Sequence, residues 1–527
     1  MIKPFALSIC LGLSLISVEA RAQSAGSAAA VASRTEAGAT IRYSLPAPVR
    51  QVAFGDRDTI RDLWVVTTPG LTLADGAITG DQPFDAFELQ LRPDAAEVDR
   101  IYMGLSRAGD GRVVYGPGLR LEGMETVLSF DLNEDEIALP ASGGIEGYAY
   151  LGPAADLTRD ALSTVVVGDN VAPELAAALR QTFGGALAYY RERLQADPGQ
   201  SPVLVGTVDG PGPTLFRGDV TDTGVISVRF KGDVWRSQME MVAPFVWHEA
   251  FHLWNGHGVK ARNGDDAPWL HEGGADYAAV VGTVSTGALS EEAARQRLAH
   301  ALNGCRRALK VRELDPARLR SGSAPYDCGL LVQWIADLEQ RAAGTGNVFT
   351  LWKTMLDDAR LSPTGYGVDE FRALLGSDSA VIDLFDGPAA SRWTRLETRL
   401  RDLGVVLRNQ PDDGTLRGTA LMHVAERNCA SGSYGFYDDP GALKLDGADC
   451  GPLSGEPVIA TVEDHDPHAA SRAMFDAVQA RCAQSLPIRY RTRDGRLLEA
   501  ICDRPLVEPE VWAIAEAPSL ALWAPGR

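Results

Sequence analysis

The chain has 527 residues, with 50 lysines and arginines against 70 aspartates and glutamates, so its formal net charge is −20. This excess of negative charge argues against partners that are themselves polyanionic, namely nucleic acids and anionic membrane surfaces. A chain of this length has room for three or four domains, each with its own core. We therefore expect a multidomain protein, of the α+β class by the strand and helix patterns described below, whose partner is neither a nucleic acid nor an anionic membrane surface.

The first 22 residues have the pattern of a secretory signal peptide. Met1-Ile-Lys-Pro precedes an apolar run from Phe5 to Val18, and small residues surround the cleavage point expected after Ala22. The run is short for a membrane anchor, and no later stretch is long and apolar enough to span a bilayer. We expect an exported protein, in a bacterial periplasm or outside the cell, with an Ala-, Ser- and Gly-rich flexible leader at residues 23–39.

Residues 40–155 are predicted to form an all-β domain of the sandwich type, because short alternating stretches such as Phe87-Glu-Leu-Gln-Leu lie between Gly, Pro and Asp turns. Residues 156–408 begin with a mixed lobe and continue with a mostly helical one. The mixed lobe has predicted strands at 163–167, 202–208 and 225–230 and a helix at 173–194. The helical lobe has predicted helices at 290–311, 327–342, 349–359 and 392–403.

The pattern His248-Glu249-Ala-Phe-His252 is the chain's clearest sign of chemistry. On a helix the two histidines lie one turn apart on the same face, so both imidazoles can reach one metal ion. Glu249 lies beside them, where it can take a proton from an attacking water. A buried helix whose histidines only find hydrogen-bond partners is the plainer interpretation, and its apolar flanks would suit that role too.

A third ligand favours the metal over the plain core helix. Glu272 follows in Trp269-Leu-His-Glu-Gly273, and a catalytic zinc takes three protein ligands. Asp276 lies one helical turn beyond Glu272, where its carboxylate can accept a hydrogen bond from the other ring nitrogen of a ligating histidine. The spacing predicts one zinc ion held by His248, His252 and Glu272.

The last part, residues 412–527, returns to short strands with one clear helix at 469–483. Residues 486–501 resemble the closing hairpin of a PDZ domain, which binds a peptide tail by strand addition. A small α+β domain of no particular family is the other interpretation, and the pattern does not decide between them.

The stretches His248–Asn255 and Leu270–Tyr277 resemble the gluzincin metallopeptidases of the aminopeptidase N and glycyl aminopeptidase type. The resemblance implies a thermolysin-like catalytic domain with zinc ligands His248, His252 and Glu272 and general base Glu249. It also implies a β domain at the N-terminus. Pro325-Tyr-Asp-Cys-Gly-Leu-Leu-Val resembles the family's PYxKGxLV segment, which gives Tyr326 the role of stabilising the oxyanion. An ordinary tyrosine at a helix start is the alternative for Tyr326.

Two positions depart from the family pattern. The aminopeptidases carry a GxMENxG strand upstream of the zinc helix, whose glutamate binds the substrate's free amine. Here Gly218 and Gly224 match the glycines, but Thr221 stands at the glutamate position and Asp222 follows it. A neutral hydroxyl replaces a carboxylate poorly as the partner of a cationic amine. Gly218, Thr221 and Asp222 are thus candidate substrate-binding residues without the usual anchor, and Cys328 stands where lysine is usual.

Of the 7 cysteines, all but Cys10 lie beyond the expected cleavage point. An even number in an oxidising compartment favours disulfides. Pairing of neighbours is the simplest connectivity, and its first bridge would tie the helix of Cys305 to the segment that carries Tyr326. The predicted bridges are Cys305–Cys328, Cys429–Cys450 and Cys482–Cys502.

The leading functional interpretation is an exported zinc-dependent peptidase acting on a peptide or protein, either aminopeptidase-like or an endopeptidase. The alternative is a catalytically retired peptidase-fold protein that acts as a peptide-binding module. A zinc hydrolase for a non-peptide bond is also open, because fold and ligands do not fix the substrate. The sequence does not indicate an oligomeric state.

Overall fold

A computed structural model of the chain describes residues 26–55, 59–93, 102–141, 143–168, 170–210, 216–262, 267–309, 319, 322–430, 434–439, 442–447 and 449–522. The predicted signal peptide at residues 1–22 lies outside them. The described residues hold several sheets and eleven α-helices, which confirms the expected multidomain α+β class. They divide into two compact units, one drawn from residues 1–185 and 198–242 and the other from residues 186–197 and 243–527.

The first unit is built on three sheets. Its strands are β1 (Ala28–Arg34), β2 (Ala39–Ala53), β3 (Trp64–Val66), β4 (Leu71–Ala74), β5 (Ala77–Leu91), β6 (Leu105–Ala108), β7 (Gly111–Tyr115), β8 (Thr126–Phe130), β9 (Glu136–Leu139), β10 (Tyr148–Pro153), β11 (Leu157–Arg159), β12 (Thr164–Val167), β13 (Val203–Asp209), β14 (Phe216–Val220) and β15 (Val225–Lys231). The first sheet has the order β3-β5-β2-β1-β8 with β4 paired to β5. The second has the order β6-β7-β10-β9, and the third has the order β11-β12-β13-β15-β14.

Strand β1 differs from the prediction, because residues 28–34 fall within the expected flexible leader. It pairs antiparallel with β2 and parallel with β8, so it lies inside the first sheet. Ala28, Ala30 and Ala32 are fully buried. The small residues that suggested flexibility are therefore the inward-facing positions of a regular period-2 strand.

The second sheet shares one buried cluster with the first sheet and another with the third. Leu105 and Val114 of the second sheet belong to the same buried cluster as Ile41 and Leu89 of the first, so these two sheets share a core. On the other side, Tyr150 of the second sheet is clustered with valines of the third sheet. Each fully buried aliphatic or aromatic side chain contributes about 1.5–3 kcal/mol. The second sheet lies before residue 155 and the third sheet after it. Because the two share a buried cluster, the predicted domain boundary falls within a continuous core.

From residue 239 onward the chain is mainly helical. Helix α1 (Pro173–Leu194) comes earlier, between β12 and β13. The later helices are α2 (Met239–Phe251), α3 (Pro268–Thr286), α4 (Glu291–Leu309), α5 (Ala324–Ala343), α6 (Val348–Arg360), α7 (Val368–Ala373), α8 (Ala380–Asp386), α9 (Arg392–Asp402), α10 (Asp413–Asn428) and α11 (Ser471–Ala483).

Helices α3 and α5 cross in backbone contact. A Cβ added at Gly273 would lie 2.2 Å from the backbone of Gly329, and one added at Gly329 would lie 2.1 Å from the carbonyl oxygen of Trp269. Only glycine permits such an approach, so a larger residue at either position would push the helices apart. The crossing places Glu272, which precedes Gly273, beside the first turns of α5.

An aromatic cluster fixes the orientation of α2. The ring of Tyr190 contacts the rings of Trp247, Phe251 and Trp254 with centroids 5.3, 5.1 and 5.7 Å away. Its hydroxyl donates a hydrogen bond to the carbonyl oxygen of Trp247 at 3.1 Å. Because these rings are buried against Tyr190, the rotation of α2 is fixed and so is the direction of the histidines that follow Trp247 and Phe251.

The C-terminal part contains a sheet that packs with α10 and α11 and has the strands β17 (Gly435–Asp439), β18 (Ala442–Asp446), β19 (Val458–Val462), β20 (Ile488–Thr492) and β21 (Leu497–Ala500). Its antiparallel sheet has the order β17-β18-β19-β20-β21. Helices α10 and α11 bury Val424 and Phe475 in one cluster with Leu445 and Tyr490 of the sheet. Whether it binds peptides as a PDZ domain does stays a prediction.

The end of the described chain leaves this small domain. Strand β22 (Trp512–Glu516) pairs with β16 (Val406–Asn409) instead of joining the β17–β21 sheet. The amide of Asn303 in α4 accepts a hydrogen bond from the N–H of Trp512 at 2.9 Å and donates one to its carbonyl at 2.8 Å. The chain end thus supports the helical lobe, although residues 412–527 were expected to form one domain.

All three predicted disulfides are present. Cys305–Cys328 joins α4 to α5, Cys429–Cys450 follows α10, and Cys482–Cys502 joins α11 to the segment after β21. Three bridges fit an oxidising compartment. In the part of the chain that the structure describes, no helix is long and apolar enough to cross a membrane.

Candidate metal centre

The three predicted ligands meet at one point in the second unit. His248 lies in the last turn of α2 and His252 directly after its end, with their Nε2 atoms 3.2 Å apart. Glu272, in the first turns of α3, brings its Oε2 to 3.2 Å from His248 Nε2 and 3.6 Å from His252 Nε2. Both imidazoles are buried. Two nitrogens and one carboxylate oxygen therefore form a compact triangle of donor atoms.

The size of this triangle fits a tetrahedral zinc ion. Ligand atoms about 2.0–2.1 Å from a tetrahedral ion are about 3.3–3.4 Å from one another. The three observed separations fall on either side of that value. A second group of potential ligands, His423 with Cys482 and Cys502, offers no thiolate because the two cysteines are bonded to each other.

Asp276 orients the first histidine. Its Oδ1 lies 3.0 Å from His248 Nδ1 and also accepts a hydrogen bond from Arg297 at 2.7 Å. Burial by itself would raise the pKa of Asp276, but Arg297 and His248 hold it below its usual value. An ionised Asp276 can accept a hydrogen bond from the Nδ1–H of His248, which leaves the Nε2 lone pair available for a metal. Arg297, from α4, was not predicted.

Asn255 orients the second histidine. Its Oδ1 lies 2.9 Å from His252 Nδ1, and its Nδ2 donates to the carbonyl oxygen of His271 at 2.9 Å. An amide oxygen can only accept, so His252 carries its proton on Nδ1 and turns the Nε2 lone pair toward Glu272. Asn255 is fully buried and also links the end of α2 to the start of α3.

Replacing Asn255 with alanine is expected to weaken zinc binding by about 10–100-fold, the usual cost of losing a partner that orients a ligand. Competition with a chromogenic chelator measures this affinity. Asn255→Asp keeps an acceptor oxygen at the same place and should retain most of the affinity. Unchanged zinc affinity in Asn255→Ala would show that His252 needs no such partner.

His271 packs flat against the second histidine. Its ring is 4.3 Å from that of His252 at an interplanar angle of 24°, and its Nδ1 lies 3.2 Å from the hydroxyl of Tyr366. Burial and the neighbouring His252 lower the pKa of His271 to about 3, so it stays neutral. Gly256, at φ 107°, leaves room for this ring, since a Cβ there would lie 2.3 Å from it. A neutral ring can buttress a ligand without repelling a cation.

The charges around the triangle favour a cation. Burial by itself would raise the pKa of Glu272, but the adjacent imidazoles of His248 and His252 hold it well below its usual value. Burial by itself would lower the pKa of His248, but Asp276 and Glu272 raise it well above the usual value. The donor atoms therefore lie in a strongly negative pocket that a divalent ion would neutralise.

Glu249 and Tyr326 lie next to the ligands. Glu249 follows His248 on α2 and is buried, and its charge acts on both His248 and Tyr326. The ring of Tyr326, in the first turn of α5, is centred 6.1 Å from that of His248. Burial and the charge of Glu272, to which the phenol is hydrogen-bonded, raise the pKa of Tyr326. The phenol therefore stays protonated and can donate.

The three tentative substrate-binding residues lie in the first unit. Gly218 pairs with Val228 across β14 and β15, and Asp222 lies in the turn between these strands. The Thr221 hydroxyl accepts from the backbone N–H of Tyr148 at 3.0 Å and donates to the carbonyl of Val225 at 3.2 Å. This hydroxyl is thus engaged by the unit's own backbone.

Comparison with known proteins yields little. No protein-family model and no curated protein match the chain. The structure is similar to the crystal structure of Legionella pneumophila aminopeptidase A in complex with aspartic acid, with a TM-score of 0.41 and 12% sequence identity. The match covers 68% of this chain and 49% of that chain, so it spans about half of the aminopeptidase. A likeness this distant assigns neither a family nor a substrate.

Proposed function

We propose that this protein is a zinc-dependent peptidase that hydrolyses peptide bonds in an exported location. The observation that carries the proposal is the convergence of His248, His252 and Glu272, whose donor atoms lie 3.2–3.6 Å apart. Three protein ligands leave a tetrahedral ion one position for water or substrate, as in catalytic zinc sites. A carboxylate, that of Glu249, lies directly beside the ligands.

Each residue of the site has a separate role in the proposed hydrolysis. Zinc, when bound, polarises the scissile carbonyl and makes water a better nucleophile. Glu249 takes the proton of the attacking water and passes it to the leaving amine. Tyr326 donates a hydrogen bond to the oxygen that becomes negative during attack, where a placed donor contributes most. Its hydrogen bond to Glu272 holds the hydroxyl beside the ligands until a substrate oxygen competes for it.

The proposal is tested by metal analysis together with hydrolysis of a denatured protein by the full exported chain. We expect bound zinc, loss of hydrolysis on treatment with a chelator, and recovery when zinc is added back. Hydrolysis that persists without metal would contradict the proposal. Bound zinc with binding but no cleavage of peptides would instead support the retired peptidase that acts as a peptide-binding module.

We further propose that the enzyme does not depend on the substrate's free amine. Thr221 stands where related aminopeptidases carry the amine-binding glutamate, and its hydroxyl is already engaged with the backbone of Tyr148 and Val225. We therefore expect N-acetylated peptides to be cleaved about as fast as free ones. An enzyme that relied on a charged amine contact of about 1.5–3 kcal/mol would lose about 10–100-fold on blocked peptides. Such a loss would restore the standard aminopeptidase interpretation.

A further inference from the structure

Tyr326 lies beside a covalent bridge between two helices. The disulfide joins Cys305 in α4 to Cys328 in α5, and both cysteines are buried. Tyr326 and Cys328 both belong to the start of α5. Ser323, which precedes this helix, makes no side-chain capping hydrogen bond to its backbone. The bridge attaches this helix start covalently to α4.

The same helix start carries a poorly solvated carboxylate. Asp327, between Tyr326 and Cys328, is 7% exposed, and none of the described residues donates a hydrogen bond to its Oδ2. This oxygen faces α4 so closely that a Cβ at Gly304 would lie 2.1 Å from it. Burial raises the pKa of Asp327, although Ser323, His300 and Arg307 oppose the rise. An unsatisfied buried carboxylate is costly, so this turn would gain by moving away from α4.

The rest of α5 is held independently of the bridge. Near its C-terminal end, Asp337 accepts hydrogen bonds from the hydroxyl of Tyr277 at 2.8 Å and from the N–H of Val348 at 2.7 Å. From the second turn onward, the glycine crossing at Gly329 packs the helix against α3. Opening the bridge would thus release the first turn alone, as a local event and not a global unfolding.

We propose that the Cys305–Cys328 disulfide positions Tyr326, so that hydrolysis requires this bridge. The inference rests on the proposed function. In the reductive step, a dithiol gives two electrons and two protons to the S–S bond, which becomes the two thiols of Cys305 and Cys328, while the dithiol becomes a disulfide. The first turn of α5 then leaves α4 and takes the phenol of Tyr326 away from Glu272. The enzyme is therefore fully active in an oxidising compartment and much less active in a reducing one.

The test compares three full-length variants: Cys305→Ser with Cys328→Ser, Tyr326→Phe, and all three changes together. We expect kcat of the bridge-free protein to fall by about 10–100-fold, which is no more than the fall caused by removing an oxyanion donor. Its KM and zinc content should be nearly unchanged. In the Tyr326→Phe background, removing the bridge should cost nothing more, because both changes remove one contribution. Losses that multiply would overturn the proposal. Cys482→Ser with Cys502→Ser, the matched control, should keep kcat.

A second measurement does not depend on turnover. With 3-fluorotyrosine at position 326, the ¹⁹F signal of the bridged protein should be displaced from that of free fluorotyrosine and should move when zinc is added. Without the bridge it should approach the free value and ignore zinc. If this behaviour is found in a protein that hydrolyses nothing, the positioning role stands and the proposed function fails. If the protein hydrolyses peptides and the signal is the same with and without the bridge, the positioning role is overturned.

Discussion

Replacing Glu249 with glutamine is expected to lower kcat by about 10³-fold while the protein keeps its zinc, within the range that a general base contributes. Glutamine has nearly the shape of glutamate, so the buried position beside His248 stays filled. Its amide cannot accept a proton from water at neutral pH. The ligand triangle does not include Glu249, so metal binding should persist. Steady-state kinetics with metal analysis of the same preparation gives both quantities.

The matched control is Glu240→Gln, an exposed glutamate in the first turn of the same helix. It makes the same change of charge on α2 away from the ligand set, so kcat should be unchanged. If Glu249→Gln keeps full turnover with zinc bound, the proton acceptor is another group. If it loses zinc as well as turnover, Glu249 acts on the metal and not only on the water.

Replacing His252 with alanine is expected to abolish zinc binding at micromolar metal and with it all zinc-dependent hydrolysis. The change removes one of three donor atoms and leaves Asn255 without the Nδ1 proton that it accepts. Losing an orienting partner costs about 10–100-fold in affinity, and losing a ligand itself costs more. Isothermal titration of the metal-free protein with zinc measures the loss directly.

The same variant has a second readout in stability. A ligand that binds only the folded state raises the free energy of unfolding by about 2.7 kcal/mol at a hundred times its Kd. Zinc should therefore raise the melting temperature of the unaltered protein and leave that of His252→Ala unchanged. His300→Ala, which removes an exposed histidine of α4, should respond to zinc as the unaltered protein does. A zinc-dependent rise in His252→Ala would show that the ion binds elsewhere.

The donor triangle could be predicted because helical spacing is local. His248 and His252 are one turn apart on any helix, and Glu272 and Asp276 keep the same relation on the next one. The spacing alone does not predict that the two helices, α2 and α3, meet. That depends on the aromatic cluster behind α2 and on the contact between Gly273 and Gly329, which join distant parts of the chain.

The partners of the ligands were harder to predict for the same reason. Asn255 stood next to the motif, but its role depends on how the chain turns after α2 and on the carbonyl of His271. Arg297 reaches Asp276 from α4, the next helix along the chain, and the sequence does not show that α4 packs against this part of α3. His271 was visible beside Glu272, but nothing in the sequence indicates that its ring packs on His252.

Two parts of the fold show the limits of composition. Residues 28–34 have the small side chains of a flexible leader, yet their alternation suits a strand between two others. Trp512 lies far along the chain from Asn303, and only the folded structure brings them together. The strands of 40–155 and the three neighbouring disulfides were predictable because their patterns are local.

The central claim is that His248, His252 and Glu272 hold one zinc ion on which peptide hydrolysis depends. The most direct test is to titrate the metal-free, full-length protein with zinc while following bound metal and cleavage of a denatured protein together. We predict that cleavage rises with bound zinc and reaches its plateau at one ion per chain. Cleavage at full rate before zinc is added, or zinc that binds at one ion per chain without any cleavage, would contradict the claim.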